Sequence, residues 1–183
     1  MDLADILLIG AGLSMDAAAV SMTNGMVYKN LTGVRYAAMP AFFGAFQMLM
    51  PILGYYAGGL FADIMAKYSG IVVFVILGII GGKMIKEGFD DMKKHETAPS
   101  RVMDLKTLLF QAVATSIDAF AVGIGFNALG IGIIGPSAII GATTAVIVVI
   151  AILIGRKFGD MLGSRAEVLG GAILVIIGIK ALL

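Results

Sequence analysis

Long apolar runs alternate with short polar breaks along almost the whole chain. Six runs are long enough to cross a bilayer, which takes about 20 helical residues. They are expected near 3–23, 36–60, 69–87, 106–127, 133–154 and 167–183. The expected fold class is all-α: a polytopic membrane protein of six transmembrane helices. The longest polar stretch, 86–106, holds Lys86, Glu87, Asp90, Asp91, Lys93, Lys94, His95, Glu96, Arg101, Asp104 and Lys106. It is too short and too polar to build a core, so it reads as a linker between two halves. The division expected is 1–89 for a first three-helix repeat, 90–104 for a cytoplasmic linker and 105–183 for a second three-helix repeat.

The halves resemble each other. Gly12-Leu13-Ser14-Met15-Asp16-Ala17 returns as Ala114-Thr115-Ser116-Ile117-Asp118-Ala119, an offset of 102 (118 − 16). Phe43-Gly44-Ala45-Phe46-Gln47 matches Ile140-Gly141-Ala142-Thr143-Thr144, and Ile80-Gly81-Gly82-Lys83 matches Ile177-Gly178-Ile179-Lys180, both at an offset of 97 (141 − 44). With three spans per half, the second half enters the membrane from the opposite side. The repeat is therefore expected to be inverted, an arrangement many secondary transporters use for alternating access.

Composition fits a membrane protein: 60% of the 183 residues are hydrophobic and only 14% charged, against roughly half and a quarter in soluble domains. The net charge of +1 leaves no footprint for nucleic acid, and the absence of cysteine excludes disulfides, thiolate metal sites and cysteine catalysis. A single histidine, His95, lies in the polar linker and forms no His cluster. The many glycines cluster with Ala and Ser inside the spans, where small residues let helices approach closely. Gly58-Gly59, Gly81-Gly82 and Gly170-Gly171 read as packing surfaces.

Charge sets the orientation. Lys29, Arg35, Lys83, Lys86, Lys93, Lys94, Arg101, Lys106, Arg156, Lys157 and Arg165 fall on one side of the six expected spans; only Lys67 and Lys180 fall on the other. The positive-inside rule places the first set in the cytoplasm and both termini outside.

The chemistry centres on Asp16 and Asp118. A carboxylate among apolar residues costs several kcal/mol unless something binds or protonates it. Each aspartate falls about 18–20 Å from its own side of a core about 30 Å thick, near the midplane. Two carboxylates there repel when both are charged, and a divalent cation reverses this. Cation binding would release protons, which makes proton coupling the expectation. Gln47, Thr143 and Thr144 lie at matching mid-span positions, and Thr115 is on the face of Asp118, whereas Ser14 and Ser116 are off the aspartate face. Pro51 is expected to free the Gln47 carbonyl and open the helix there. The candidate metal ligands are thus Asp16, Asp118, Gln47, Thr144, Thr143 and Thr115. All are hard oxygen donors, which suits magnesium, calcium or manganese and disfavours zinc or copper.

Ser14-Met15-Asp16-Ala17, Phe43-Gly44-x-x-Gln47-x-x-x-Pro51-x-x-Gly54, Gly82-Lys83-Met84-Ile85-x-Glu87-Gly88-Phe89, Ala114-Thr115-Ser116-x-Asp118-Ala119-x-Ala121-Val122-Gly123 and Ala166-Glu167-x-x-Gly170-Gly171 together resemble the bacterial manganese efflux pump family (MntP), related to the LysE-type transporters. The resemblance covers nearly the whole chain. It implies an exporter of the cytoplasmic (inner) membrane that expels manganese(II) as its transported substrate, with no cofactor and no enzymatic activity. The family's key aspartates correspond to Asp16 and Asp118; at Gln47 some members look to carry Glu. The alternative within transport is a LysE-like exporter of a cationic amino acid, against which the site offers nothing for an α-carboxylate. Partners expected are the manganese(II) ion and the lipid bilayer, not nucleic acid; a homo-oligomer is left open.

Overall fold

The computed structural model describes residues 2–28, 33–94, 103–162 and 165–182, with side chains except at 58–66, 91, 93–94 and 160. The described residues form helices: α1 (Leu3–Val27), α2 (Gly33–Lys94), α3 (Leu105–Ala114), α4 (Ile117–Ala128), α5 (Ile134–Leu162) and α6 (Arg165–Lys180). Asp2 starts α1 through a reciprocal capping box with Asp5, which satisfies two orphan donors of the first turn. The linker expected at 90–104 lies largely outside the described residues, as do Gly58 and Gly59 with respect to side-chain packing.

Among the described residues, four segments are long and apolar enough to cross a membrane: Leu3–Val27, Gly33–Ala57, Lys67–Asp90 and Ile134–Gly159. The expected fourth span is present in two pieces, α3 and α4, bent by 40° between them. The expected sixth corresponds to α6. At 16 residues it is about 24 Å long, less than a hydrocarbon core of about 30 Å. Many large apolar side chains face outward, among them Leu8, Ile79, Val146 and Ile176, each 60% exposed or more. Such a surface suits lipid and not water.

α2 holds two expected spans and doubles back on itself. Gln47 of its first arm meets Leu13 of α1, while Met84 of its second arm and Thr23 of α1 both pack against Gly170. A straight helix would put residues 47 and 84 about 55 Å apart, yet Leu13 and Thr23 are only about 15 Å apart along α1. The helix continues through Pro51, so the opening expected there is not present. The irregularity lies instead between α3 and α4.

Glycine sets the packing. α1 and α5 run parallel, with Gly10 against Ile140 and Thr143 at one end and Gly25 against Ile152 and Arg156 at the other. A Cβ on Gly44 would fall 2.9 Å from the Gly141 carbonyl oxygen, and one on Gly141 would fall 2.7 Å from that of Gly44. Gly81 and Gly171 back onto each other's carbonyls in the same way, at 2.6 and 2.5 Å. Backbone cannot yield as a side chain can, so these crossings admit only glycine. The buried core forms two clusters: one around Ala17, Val20, Phe43, Leu77, Leu108 and Leu174, the other around Ile6, Leu13, Ala119, Phe126 and Ile140.

A Cβ on Gly155 would collide with the Met22 carbonyl. Gly155→Ala should therefore force α1 off α5, at a cost of about 1–3 kcal/mol. Thermal denaturation in detergent should show a fall of several degrees. Gly78, which has open space where its Cβ would go, is the comparison: Gly78→Ala should melt no lower than the unsubstituted chain.

Candidate functional site

The two aspartates enter the site on different kinds of backbone. Asp16 lies in the middle of α1, an unbroken helix. Asp118 lies in the first turn of α4, directly after the break. The break follows from the residues Thr115-Ser116. Thr115 Oγ1 donates to the Gln111 carbonyl at 3.0 Å, and Ser116 Oγ donates to that of Ala112 at 2.7 Å. Hydroxyls bonding back to the carbonyl four residues earlier compete with the helical ladder and bend it. The result is a free helix N-terminus at Asp118, whose partial positive charge favours an anion. The Ala119 backbone N–H donates to Asp118 Oδ1 at 2.8 Å.

Gln47 joins the two aspartate-bearing segments. It is fully buried. Its Nε2 donates to the Leu13 carbonyl at 2.8 Å and to the Thr115 carbonyl at 3.2 Å. One nitrogen bonded to both puts those two oxygens within about 6 Å of each other. Leu13 is three residues before Asp16, and Thr115 three before Asp118. Helical side chains lean toward their own N-terminus, so both carboxylates lean back toward this carbonyl pair. Asp16 is half-buried and Asp118 exposed. Among the described residues, neither carboxylate is paired with a cation. The oxygen of the same amide, Gln47 Oε1, is buried without a hydrogen-bond partner.

Of the other candidates, Thr144 turns to α1 at Ser14. It is fully buried, its Oγ1 shares a 2.8 Å hydrogen bond with Ser14 Oγ, and it also reaches the Ile140 carbonyl at 3.0 Å. Thr143 turns to α1 at Gly10, a turn and a half before Asp16. Thr115 contributes its carbonyl to Gln47, while its hydroxyl is committed to Gln111. Two features were not visible in the sequence: the role of Ser14, which braces Thr144, and a buried amide pair, Asn24 with Gln111. Isolated polar residues in apolar spans were the signal, but their partners lie 130 and 87 residues away.

Chemically, the arrangement offers two carboxylates and several neutral oxygens. No group of three or more His, Cys, Asp or Glu that could hold a metal occurs among the described residues. Any cation held here would complete its shell with carbonyl, amide or water oxygens, the donor set of hard divalent ions.

The family described as "Putative manganese efflux pump" matches residues 30–182. The chain belongs to this family, MntP. Full-length relatives agree. "Putative manganese efflux pump MntP 2" of Clostridium botulinum (strain Langeland) is 42% identical over 188 residues, covering 98% of this chain and 94% of its own. The MntP proteins of Ruminiclostridium cellulolyticum and Clostridium perfringens (strain ATCC 13124) are 41% and 40% identical, over 98% and 100% of this chain and 95% of each relative. No solved structure matches.

Gln47→Leu should remove both bridging hydrogen bonds and leave the Thr115 carbonyl without that donor, at a cost of about 1–3 kcal/mol. Thermal unfolding in detergent should register the loss, and hydrogen exchange should rise at the α3–α4 break first.

Proposed function

We propose that this chain exports manganese(II) from the cytoplasm across the inner membrane, holding the ion between Asp16 and Asp118. The observation that carries this reading is the Gln47 bridge: one buried amide ties together the two backbone positions that precede the two aspartates. Its unpartnered Oε1 would be a third oxygen for the ion, with Thr144 and Thr115 in support and Thr143 more remote. The relatives' names give manganese as the cargo. The oxygen donors fit it.

Alternating access is part of the proposal, through two inverted halves, 1–89 and 105–183, joined by the linker 90–104. Applying the offsets to observed contacts supports the inversion. Gly44 and Gly141, 97 apart, meet each other. The Gly81–Gly171 contact maps by 97 (81 + 97 and 171 − 97) onto Gly178 and Phe74, which also touch. Gly25 against Ile152 maps, by 102 and 97, onto Asn127 and Tyr55, where the Asn127 amide donates to the Tyr55 carbonyl at 3.0 Å. Leu13 and Thr115, themselves 102 apart, share the Gln47 amide. The helix break at Asp118 has no counterpart at Asp16, so the halves differ where the ion would sit. Proton coupling follows if one carboxyl is protonated when the site is empty.

Asp16→Asn and Asp118→Asn should each abolish manganese export while leaving the protein abundant in the membrane, since neutralising such a charge removes a desolvation cost. The double variant should export no less than either single one, because groups acting as a unit are not additive. Export largely retained in either single variant would exclude a shared site. For orientation, a C-terminal reporter active only in the cytoplasm should stay silent; a bright signal would reverse the termini.

A further inference from the structure

A buried amide pair joins α1, which carries Asp16, to α3, which leads through the break to Asp118. Asn24 and Gln111 are both fully buried. Asn24 Nδ2 donates to Gln111 Oε1 at 2.8 Å and Gln111 Nε2 donates to Asn24 Oδ1 at 3.2 Å. Asn24 is eight residues after Asp16 and Gln111 seven before Asp118, so the pair sits about 10–12 Å from each along the chain, toward the end of the bundle where α1 finishes and α3 starts. α1 and α3 otherwise touch sparingly.

A cavity opens on the far side of this pair. Its volume is about 510 Å³, and it is lined in part by Tyr28 of the α1 C-cap and by Asp104 and Thr107 at the start of α3, with Lys83 and Glu87 of α2 opposite. Tyr28 is four residues after Asn24 and Thr107 four before Gln111, so cavity and amide pair share the same faces of the same two helices. One turn deeper on α1, Ser21 Oγ is buried with no hydrogen-bond partner. Along α1 the order is therefore Tyr28 at the cavity, Asn24 in the clasp, then Ser21 and, further along, Asp16.

The opposite half is closed differently. The offset of 102 carries Asn24 to Phe126 and Gln111 to Ile9, and both belong to the apolar cluster around Ile6 and Leu13. One end is closed by a polar clasp and the other by hydrocarbon.

We propose that Asn24 and Gln111 form the inner gate of the transport path, and that the cavity beyond them is the vestibule from which a hard divalent cation reaches the aspartates. Each carboxamide keeps an oxygen that can replace a water of the ion when the clasp opens, so passage inward is wet. The apolar closure on the other side excludes water when shut, which opposes return of the exported ion. This rests on the manganese-export reading and on its orientation.

The test uses the absence of native cysteine. Ser21→Cys and Thr107→Cys are made separately and exposed to a membrane-impermeant maleimide on the cytoplasmic face of everted vesicles. The Thr107→Cys thiol should react readily and the Ser21→Cys thiol slowly. Adding Asn24→Ala should speed labelling of Ser21→Cys at least tenfold. An unreactive Thr107→Cys would overturn the vestibule, and a Ser21→Cys rate unchanged by Asn24→Ala would overturn the gate. A second measurement needs no opened clasp. In Asn24→Cys/Gln111→Cys, a short bifunctional methanethiosulfonate should cut manganese uptake into the vesicles at least tenfold relative to the same sample after reduction. Equal uptake, with bridging verified by mass, would also overturn the gate. Manganese(II) should change the Ser21→Cys labelling rate, and Asp16→Asn should abolish that change. A gate that responds to Asn24→Ala but never to manganese would leave the gate standing and sink the manganese reading instead.

Discussion

One carboxamide holds the centre of this molecule together. Gln47 donates to the carbonyls of Leu13 and Thr115, and those carbonyls belong to the two segments that carry the aspartates. Around it the helices cross at glycine, Gly44 on Gly141 and Gly81 on Gly171, so that backbones come close enough for one short side chain to span the gap. In hydrocarbon no general hydrophobic force draws helices together. Close packing and a few well-placed hydrogen bonds must do it. The Gln47 bridge ties together the backbone positions three residues before each carboxylate and leaves its own Oε1 unpartnered.

Much of the architecture was legible in the sequence because bilayer thickness writes itself into apolar length. Spans one, two, three and five could be read directly. The fourth could be placed but not seen to be broken, because the break depends on what Thr115 and Ser116 hydroxyls bond to, and a span-length pattern does not report it. Pro51 looked the better place for a break, yet α2 runs through it and Gly123 packs against its carbonyl. The last expected span, 167–183, is a short run, and α6 is correspondingly short. The aspartates stood out because charge is rare in such a chain. Thr144 and Thr143 could not be told apart until α5 was seen on α1, where Thr144 finds Ser14 and Thr143 finds Gly10. Asn24 and Gln111 were invisible as a pair, since neutral amides 87 residues apart carry no local signal.

The contrast between the two aspartate environments bears on mechanism. Asp118 sits at a fresh helix N-terminus, whereas Asp16 sits inside an intact helix. On the proposed reading, the first is held by backbone dipoles and the second moves with α1 as a rigid rod. Rocking α1 with α5 against the rest would change the distance between the carboxylates, and with it the affinity for an ion. A site that binds tightly on one side and weakly on the other is what an exporter requires.

The central claim is that two carboxylates share one cation, and binding by the purified chain tests it most directly. The six-line electron paramagnetic resonance signal of free manganese(II) disappears on binding, so titration gives stoichiometry. The account predicts one ion per chain, with proton release, and loss of that site in Asp16→Asn and in Asp118→Asn alike. One ion per chain in either variant, bound within about threefold of the original affinity (a difference under about 0.7 kcal/mol), would contradict it.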